Sequence, residues 1–177
     1  IEIPGNEQLT IMNGDVLITD TQNIYVCDFA MGLYRTNNLG LDWSSPSELT
    51  FDGCSAFNIH VNGTLFLGMT YSGIGFIHRS FDNGSSWEAI PLPNYESNYP
   101  VEHIEFDSEG NIYLGTINGI YKSTDNGDNW QKMNDGINGE HVSSMFIDEI
   151  DNIYIYTTYS SSADGVYYSN DNAESWM

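Results

Sequence analysis

The 177-residue sequence predicts an all-β fold, a β-propeller of four-stranded antiparallel blades with about four blades in the chain. Three observations carry this. Four tryptophans, Trp43, Trp87, Trp130 and Trp176, recur at intervals of 44, 43 and 46 residues, the length of one such blade. Each closes an eight-residue segment of one pattern, at Thr36–Trp43, Ser80–Trp87, Ser123–Trp130 and Ser169–Trp176. Between these segments lie short apolar and β-branched runs bounded by turn residues, the mark of strands.

The elements follow in a fixed order. Strand A alternates with a period of two, clearest in Val101–Phe106 and Val142–Ile147. A turn such as Asp107–Gly110 leads to strand B, read in Asn23–Val26, Thr64–Leu67, Asn111–Leu114 and Asn152–Ile155 as a buried strand. After a connection of variable length comes strand C, at Gly32–Arg35, Gly75–His78, Gly119–Lys122 and Gly165–Tyr168. The eight-residue turn follows, and strand D is expected to begin at its Trp. In that turn a short Asp or Asn accepts backbone N–H groups, Gly takes positive φ, and Ser or Thr adds a local hydrogen bond. The Trp packs its apolar surface on the blade. A single propeller, or propeller segment, over 1–177 is expected, with blades at about 10–50, 51–96, 97–137 and 138–177. Residues 1–6 read as a strand D completing either the last blade of a closed ring or a preceding blade. Four blades of a longer propeller are preferred to a closed four-bladed ring or a homo-oligomer of half-rings, because larger rings are common and closure removes exposed sheet edges.

Composition excludes several roles. With 25 Asp and Glu against 4 Lys and Arg, the net charge is −21. Nucleic-acid binding and adhesion to anionic membranes both need basic surface, so neither partner is expected. No apolar run reaches the length of a membrane span, so no membrane insertion is expected either. At 40% hydrophobic and 14% aromatic residues, the chain still has material for a core. Cys27 and Cys54 form no CxxC pair, so no redox motif or zinc site is indicated. Buried free thiols are the plain expectation for them; a Cys27–Cys54 bridge stays open, since sequence does not supply the distance.

The S/T-x-D/N-x-G/A-x-x-W turn resembles the Asp-box, or bacterial neuraminidase repeat, in four copies covering essentially the whole chain. The positions that carry the resemblance are Asn38, Gly40 and Trp43; Asp82, Gly84 and Trp87; Asp125, Gly127 and Trp130; and Asp171 and Trp176, with Ala173 where Gly is usual. Sialidases, xyloglucanase-type glycoside hydrolases, sortilin-like receptors and photosystem II assembly-factor-like proteins share this box, so it implies architecture and not activity. Sialidase chemistry resembles a three-arginine clamp with a Tyr–Glu nucleophile, and this chain has two arginines. Arg35 and Arg79 occupy the repeat position of Lys122, which argues for a structural role in strand C.

The Asp-box turns have constant length, whereas the B–C and D–A connections vary and carry aromatics. Variable loops on a rigid scaffold are where binding resides. The ligand-binding candidates are Phe29, Tyr71, Tyr95, Tyr99, Glu102, His141 and Tyr159, because aromatics beside carboxylates stack on sugar rings, bond their hydroxyls, or anchor a protein partner. The expected role is a non-catalytic recognition scaffold for a glycan or protein, secreted, periplasmic or at the cell surface. The alternatives are a xyloglucanase-like hydrolase fragment acting on a neutral polysaccharide, and a purely structural repeat. Hydrolysis needs two opposed carboxylates, and Asp28 and Asp164 are the loop acids to examine first, although no residue is firmly catalytic. No metal site and no cofactor is expected. The acidic turns at 125–129 and 148–152 offer oxygen ligands of the kind Ca2+ takes, but they lack EF-hand spacing and read as turn stabilisation.

Overall fold

The computed structural model describes residues 14–18, 23–30, 32–46, 49, 53–71, 74–92, 100–138, 141–158 and 164–177. They form four antiparallel sheets in chain order. The first holds β1 (Gly14–Ile18), β2 (Ile24–Asp28) and β3 (Gly32–Thr36), and the second β4 (Gly53–Ile59), β5 (Leu65–Tyr71), β6 (Ile74–Ser80) and β7 (Glu88–Ile90). The third holds β8 (Val101–Phe106), β9 (Ile112–Thr116), β10 (Gly119–Ser123) and β11 (Gln131–Lys132), and the fourth β12 (His141–Ile147), β13 (Ile153–Thr158) and β14 (Gly165–Ser169). Strand D is shorter than expected and starts just beyond the Trp. In the first sheet it is a single bridge from Ser44 to Arg35, and in the fourth Met177 exchanges two 3.0 Å bonds with Tyr168. Residues 1–6, expected to complete a blade, lie outside the described residues.

Three apolar clusters lie between successive sheets. Tyr25, Leu33, Phe57 and Leu65 fill the first interface, Phe66, Ile77, Ile104 and Trp130 the second, and Tyr113, Ile120, Met145 and Trp176 the third. Strand B of the third sheet has apolar neighbours on both faces, and every residue of β9 is buried, as its continuous apolar run requires.

One contact recurs where strand A of a sheet crosses strand B of the sheet before it. A Cβ on Gly68 would lie 2.8 Å from the Val101 carbonyl oxygen and 3.1 Å from the Val101 Cβ. A Cβ on Gly115 would lie 2.9 Å from a Val142 methyl. At the same repeat position of the first joint stand Cys27 and Cys54, which form a disulfide with a Cα–Cα distance of 5.2 Å. The expectation of free thiols is thereby corrected: a covalent bond occupies the joint that Val over Gly fills elsewhere.

All four eight-residue turns adopt one geometry. The Ser or Thr hydroxyl donates to the Asp carboxylate or Asn amide oxygen at 2.7–2.9 Å and accepts the N–H four residues on at 2.8–3.0 Å. The Asp or Asn oxygen accepts a second N–H four residues beyond itself, as in Ser86 N to Asp82 Oδ1 at 2.8 Å. Two successive residues have positive φ in each turn: Leu39–Gly40, Asn83–Gly84, Asn126–Gly127 and Asn172–Ala173. Asn and Gly tolerate that region best, which accounts for their recurrence. The indole of each of the first three boxes covers the glycine, within 3.3–3.6 Å of where a Cβ would stand.

The basic residue preceding each box reaches into the next sheet. Arg35 donates to the Asn83 carbonyl, Arg79 to the Asn126 carbonyl at 2.6 Å, and Lys122 to the Asn172 carbonyl at 3.2 Å. Three of the four cations thus serve as ties between successive box turns. Tyr168 takes this position in the fourth sheet, whose outer face exposes Phe146, Tyr154, Tyr156 and Val166. Their repeat equivalents Tyr25, Phe66 and Tyr113, and Leu33, Ile77 and Ile120, are buried.

Candidate functional site

The strand ends opposite the box turns bring together the starts of the A strands and the ends of the B strands. A groove of about 690 Å³ opens there, lined by Phe29, Ser55, Thr70, Glu102, His103 and Ser143 among others. Its size is that of a small-molecule or oligosaccharide site.

The backbone register explains the lining. Strand A of the second, third and fourth sheets carries a one-residue bulge at the same repeat position. Cys54 pairs with Met69 and Ala56 with Gly68, leaving Ser55 without a partner residue in the register. In the same way Glu102 is extra between the Val101–Thr116 and His103–Gly115 pairs, and Ser143 between Val142–Thr157 and Ser144–Tyr156. Bulges re-aim side chains, and these three put a polar residue of each sheet at the groove. Ser55 Oγ donates to the Val101 carbonyl at 2.7 Å, and Ser143 Oγ donates to the Tyr156 carbonyl at 3.3 Å.

Glu102 is also the start of a side-chain chain. Its Oε2 lies 2.8 Å from His141 Nε2, and His141 Nδ1 lies 3.2 Å from Thr158 Oγ1. An ionised carboxylate only accepts, so Nε2 carries the hydrogen of the first of these bonds. Glu102 and His141 come from different sheets, and their side chains keep about a third of their surface exposed, 32% and 33%.

Of the residues expected from sequence, the structure brings Phe29, Glu102 and His141 to this end; Phe29 is 56% exposed and lines the groove. Asp28 ends β2 instead of standing in an open loop. It is 1% exposed, with Oδ1 accepting the Ala30 N–H at 2.8 Å. Asp164 is exposed just ahead of β14 and does not line the groove. Tyr95, Tyr99 and Tyr159 lie outside the described residues, and of Tyr71 only the backbone, at the end of β5, lies within them. Ser55, Thr70, His103 and Ser143 were not expected. A signal for two of the bulges does exist: apolar residues that are buried step by three at Val101–Ile104 and Val142–Met145, where an unbroken strand steps by two; in the second sheet Ala56 is buried as well and hides the step.

The two acidic turns are accounted for by their own bonds. Asp125 accepts from Ser123 and from both nitrogens of Asn129, and Asp148 from Ile150 and both nitrogens of Asn152. Among the described residues no group of three or more His, Cys, Asp or Glu is placed to hold a metal ion.

No family model matches the chain. A xyloglucanase from Paenibacillus sp is 30% identical over 100 residues, covering 55% of this chain and 9% of the xyloglucanase. An ancestral GH74 enzyme superposes with a TM-score of 0.77 at 19% identity, covering 96% of this chain and 26% of that one. YCF48 bound to a D1 peptide superposes with a TM-score of 0.69 at 17% identity, covering 99% of this chain and 54% of that one. The likeness to these structures is one of fold, that of a β-propeller, and the chain spans a small part of the xyloglucanase and about a quarter of the GH74 enzyme.

Proposed function

We propose that the chain is a segment of a xyloglucanase-type glycoside hydrolase and contributes a groove for a neutral polysaccharide. The observation that carries this reading is the groove itself, at the variable-loop end, with an exposed aromatic and a carboxylate in its lining. The sequence likeness to a xyloglucanase and the fold shared with a GH74 enzyme support it. In this reading the segment is four Asp-box blades of a longer propeller, with boundaries near 10–50, 51–96, 97–137 and 138–177. The Cys27–Cys54 disulfide supports an oxidising compartment, hence a secreted, periplasmic or cell-surface location.

Glu102 is the one carboxylate lining the groove among the described residues. Hydrolysis by two carboxylates therefore calls for a second acid from elsewhere, and the expected behaviour of this chain alone is retention of polysaccharide without turnover. Affinity electrophoresis in gels containing soluble xyloglucan, run beside a reducing-end assay, tests this. Retardation without release is the expected result, and no retardation would refute a polysaccharide role. Release that is abolished by Asp28→Asn or Asp164→Asn would place catalysis within the chain. A second reading, recognition of a protein segment, is favoured by the fold shared with a peptide-bound YCF48 and would be tested by titrating extended peptides into the same groove.

A further inference from the structure

The hydrogens of the two serines in the groove lining, Ser55 and Ser143, are committed to the protein itself. The proton of Ser55 goes to the Val101 carbonyl and that of Ser143 to the Tyr156 carbonyl. The His141 Nε2–H goes to Glu102, and His141 Nδ1 lies 3.2 Å from the Thr158 hydroxyl. A hydroxyl that has donated its hydrogen keeps lone pairs, and an ionised carboxylate has only lone pairs. Ser55, Glu102 and Ser143 therefore offer acceptors to a ligand, one from each of three successive sheets, at positions set by the three bulges.

We propose that this row of bulge residues is the specificity-determining element of the groove: an acceptor platform for the hydroxyl groups of a neutral sugar chain lying across the second, third and fourth sheets, which excludes acidic polysaccharides. The proposal rests on the reading of the groove as a polysaccharide site. Three physical arguments carry it. Sugar hydroxyls are donors, and a row of acceptors with no hydrogen to give satisfies them, whereas a uronate carboxylate meets lone pairs and the Glu102 charge. The net charge of −21 adds a field that repels polyanions before contact. Exposed Phe29, at the edge of the same groove, supplies the apolar surface a pyranose face needs.

His141 and Thr158 act here as positioning residues. His141, held between Glu102 and Thr158, fixes one carboxylate oxygen and leaves the other for the ligand. Among the described residues Glu102 Oε1 has no hydrogen bond of its own. Glu102→Gln is the informative substitution, because the amide oxygen can still accept from His141 while the remaining position becomes a donor without charge.

Isothermal titration of the 177-residue chain with soluble xyloglucan and with polygalacturonate tests the proposal, with thermal unfolding midpoints verifying that each variant is folded. The wild type is expected to bind xyloglucan and not polygalacturonate. Glu102→Gln is expected to weaken xyloglucan binding by about tenfold or more, the effect of one charge-assisted hydrogen bond. Ser143→Ala, which removes an acceptor at a partly exposed position, is expected to weaken it by about threefold or more. Xyloglucan binding that is unchanged in both variants, or polygalacturonate bound as well as xyloglucan, would overturn the acceptor row while leaving the groove a polysaccharide site. Binding of neither polymer by the wild type would remove the underlying reading together with it.

Discussion

If the disulfide stands in for a Val–Gly joint, replacing it with that joint should restore part of the stability its loss removes. The two cysteines are 27 residues apart, and closing a loop of that length restricts the unfolded chain by about 3.5 kcal/mol. Cys27→Ala/Cys54→Ala is expected to lose most of that amount. Cys27→Gly/Cys54→Val adds two buried methyl groups, worth about 1.6 kcal/mol, against about 0.5–1 kcal/mol for glycine in a strand. A net recovery of about 1 kcal/mol over the double alanine is expected. The sharper comparison is Cys27→Ala/Cys54→Val. Alanine normally outranks glycine in a strand, but at the two Val joints a Cβ would stand 2.8–3.1 Å from the valine, so here glycine should be the more stable choice. Urea unfolding followed by tryptophan fluorescence, with and without reductant, measures each variant. A Cys27→Ala/Cys54→Val protein as stable as Cys27→Gly/Cys54→Val would refute the equivalence of the three joints.

The box turns make their own predictions. The Ser86 and Ser80 hydroxyls and backbone N–H groups hold the Asp82 carboxyl down at about 2, and the Ser175 hydroxyl does the same at Asp171. Carboxyls depressed in the folded state stabilise it above their unfolded value of 3.8, and this contribution disappears as the pH falls through about 2. Acid titration by circular dichroism is expected to show stability falling from about pH 4 downward, and less steeply in Asp82→Asn/Asp171→Asn. An acid profile identical in the two proteins would contradict this. Trp130→Ala removes an indole that is 8% exposed in the second interface and is expected to cost about 3–5 kcal/mol in urea unfolding; a loss under 1 kcal/mol would mean the interface does not depend on it. Gly127→Ala forces a Cβ to within 3.1 Å of the Ile90 Cδ1 at a φ of 89° and should lower the thermal midpoint, with no change counting against the turn geometry.

Most of the fold was legible because each blade repeats the same local physics. The Ser, Asp and Gly positions of the boxes announce their hydrogen bonds and positive φ, and the unbroken apolar run of β9 announces its two covered faces. What was not legible arises between repeats. Whether Cys27 meets Cys54 depends on how two sheets cross, and only aligning them with Gly68–Val101 and Gly115–Val142 reveals the joint they share. The lining of the candidate site was legible in part. Phe29, Glu102 and His141 stood out as loop-end residues, whereas Ser55 and Ser143 look like ordinary strand residues until the bulges turn them toward the groove. Asp28 misled as a loop acid because β2 runs one residue further than its apolar run suggests, and that residue is buried against the Ala30 N–H.

The central claim is that the groove at the bulged strand ends is where a neutral polysaccharide binds. Mapping amide chemical shifts of the isotopically labelled chain during titration with xyloglucan oligosaccharides tests it most directly. Saturable shifts centred on Phe29, Ser55, Glu102, His103 and Ser143 are the expected result. Shifts confined to the box turns, or to the exposed face carrying Tyr154 and Tyr156, would contradict it.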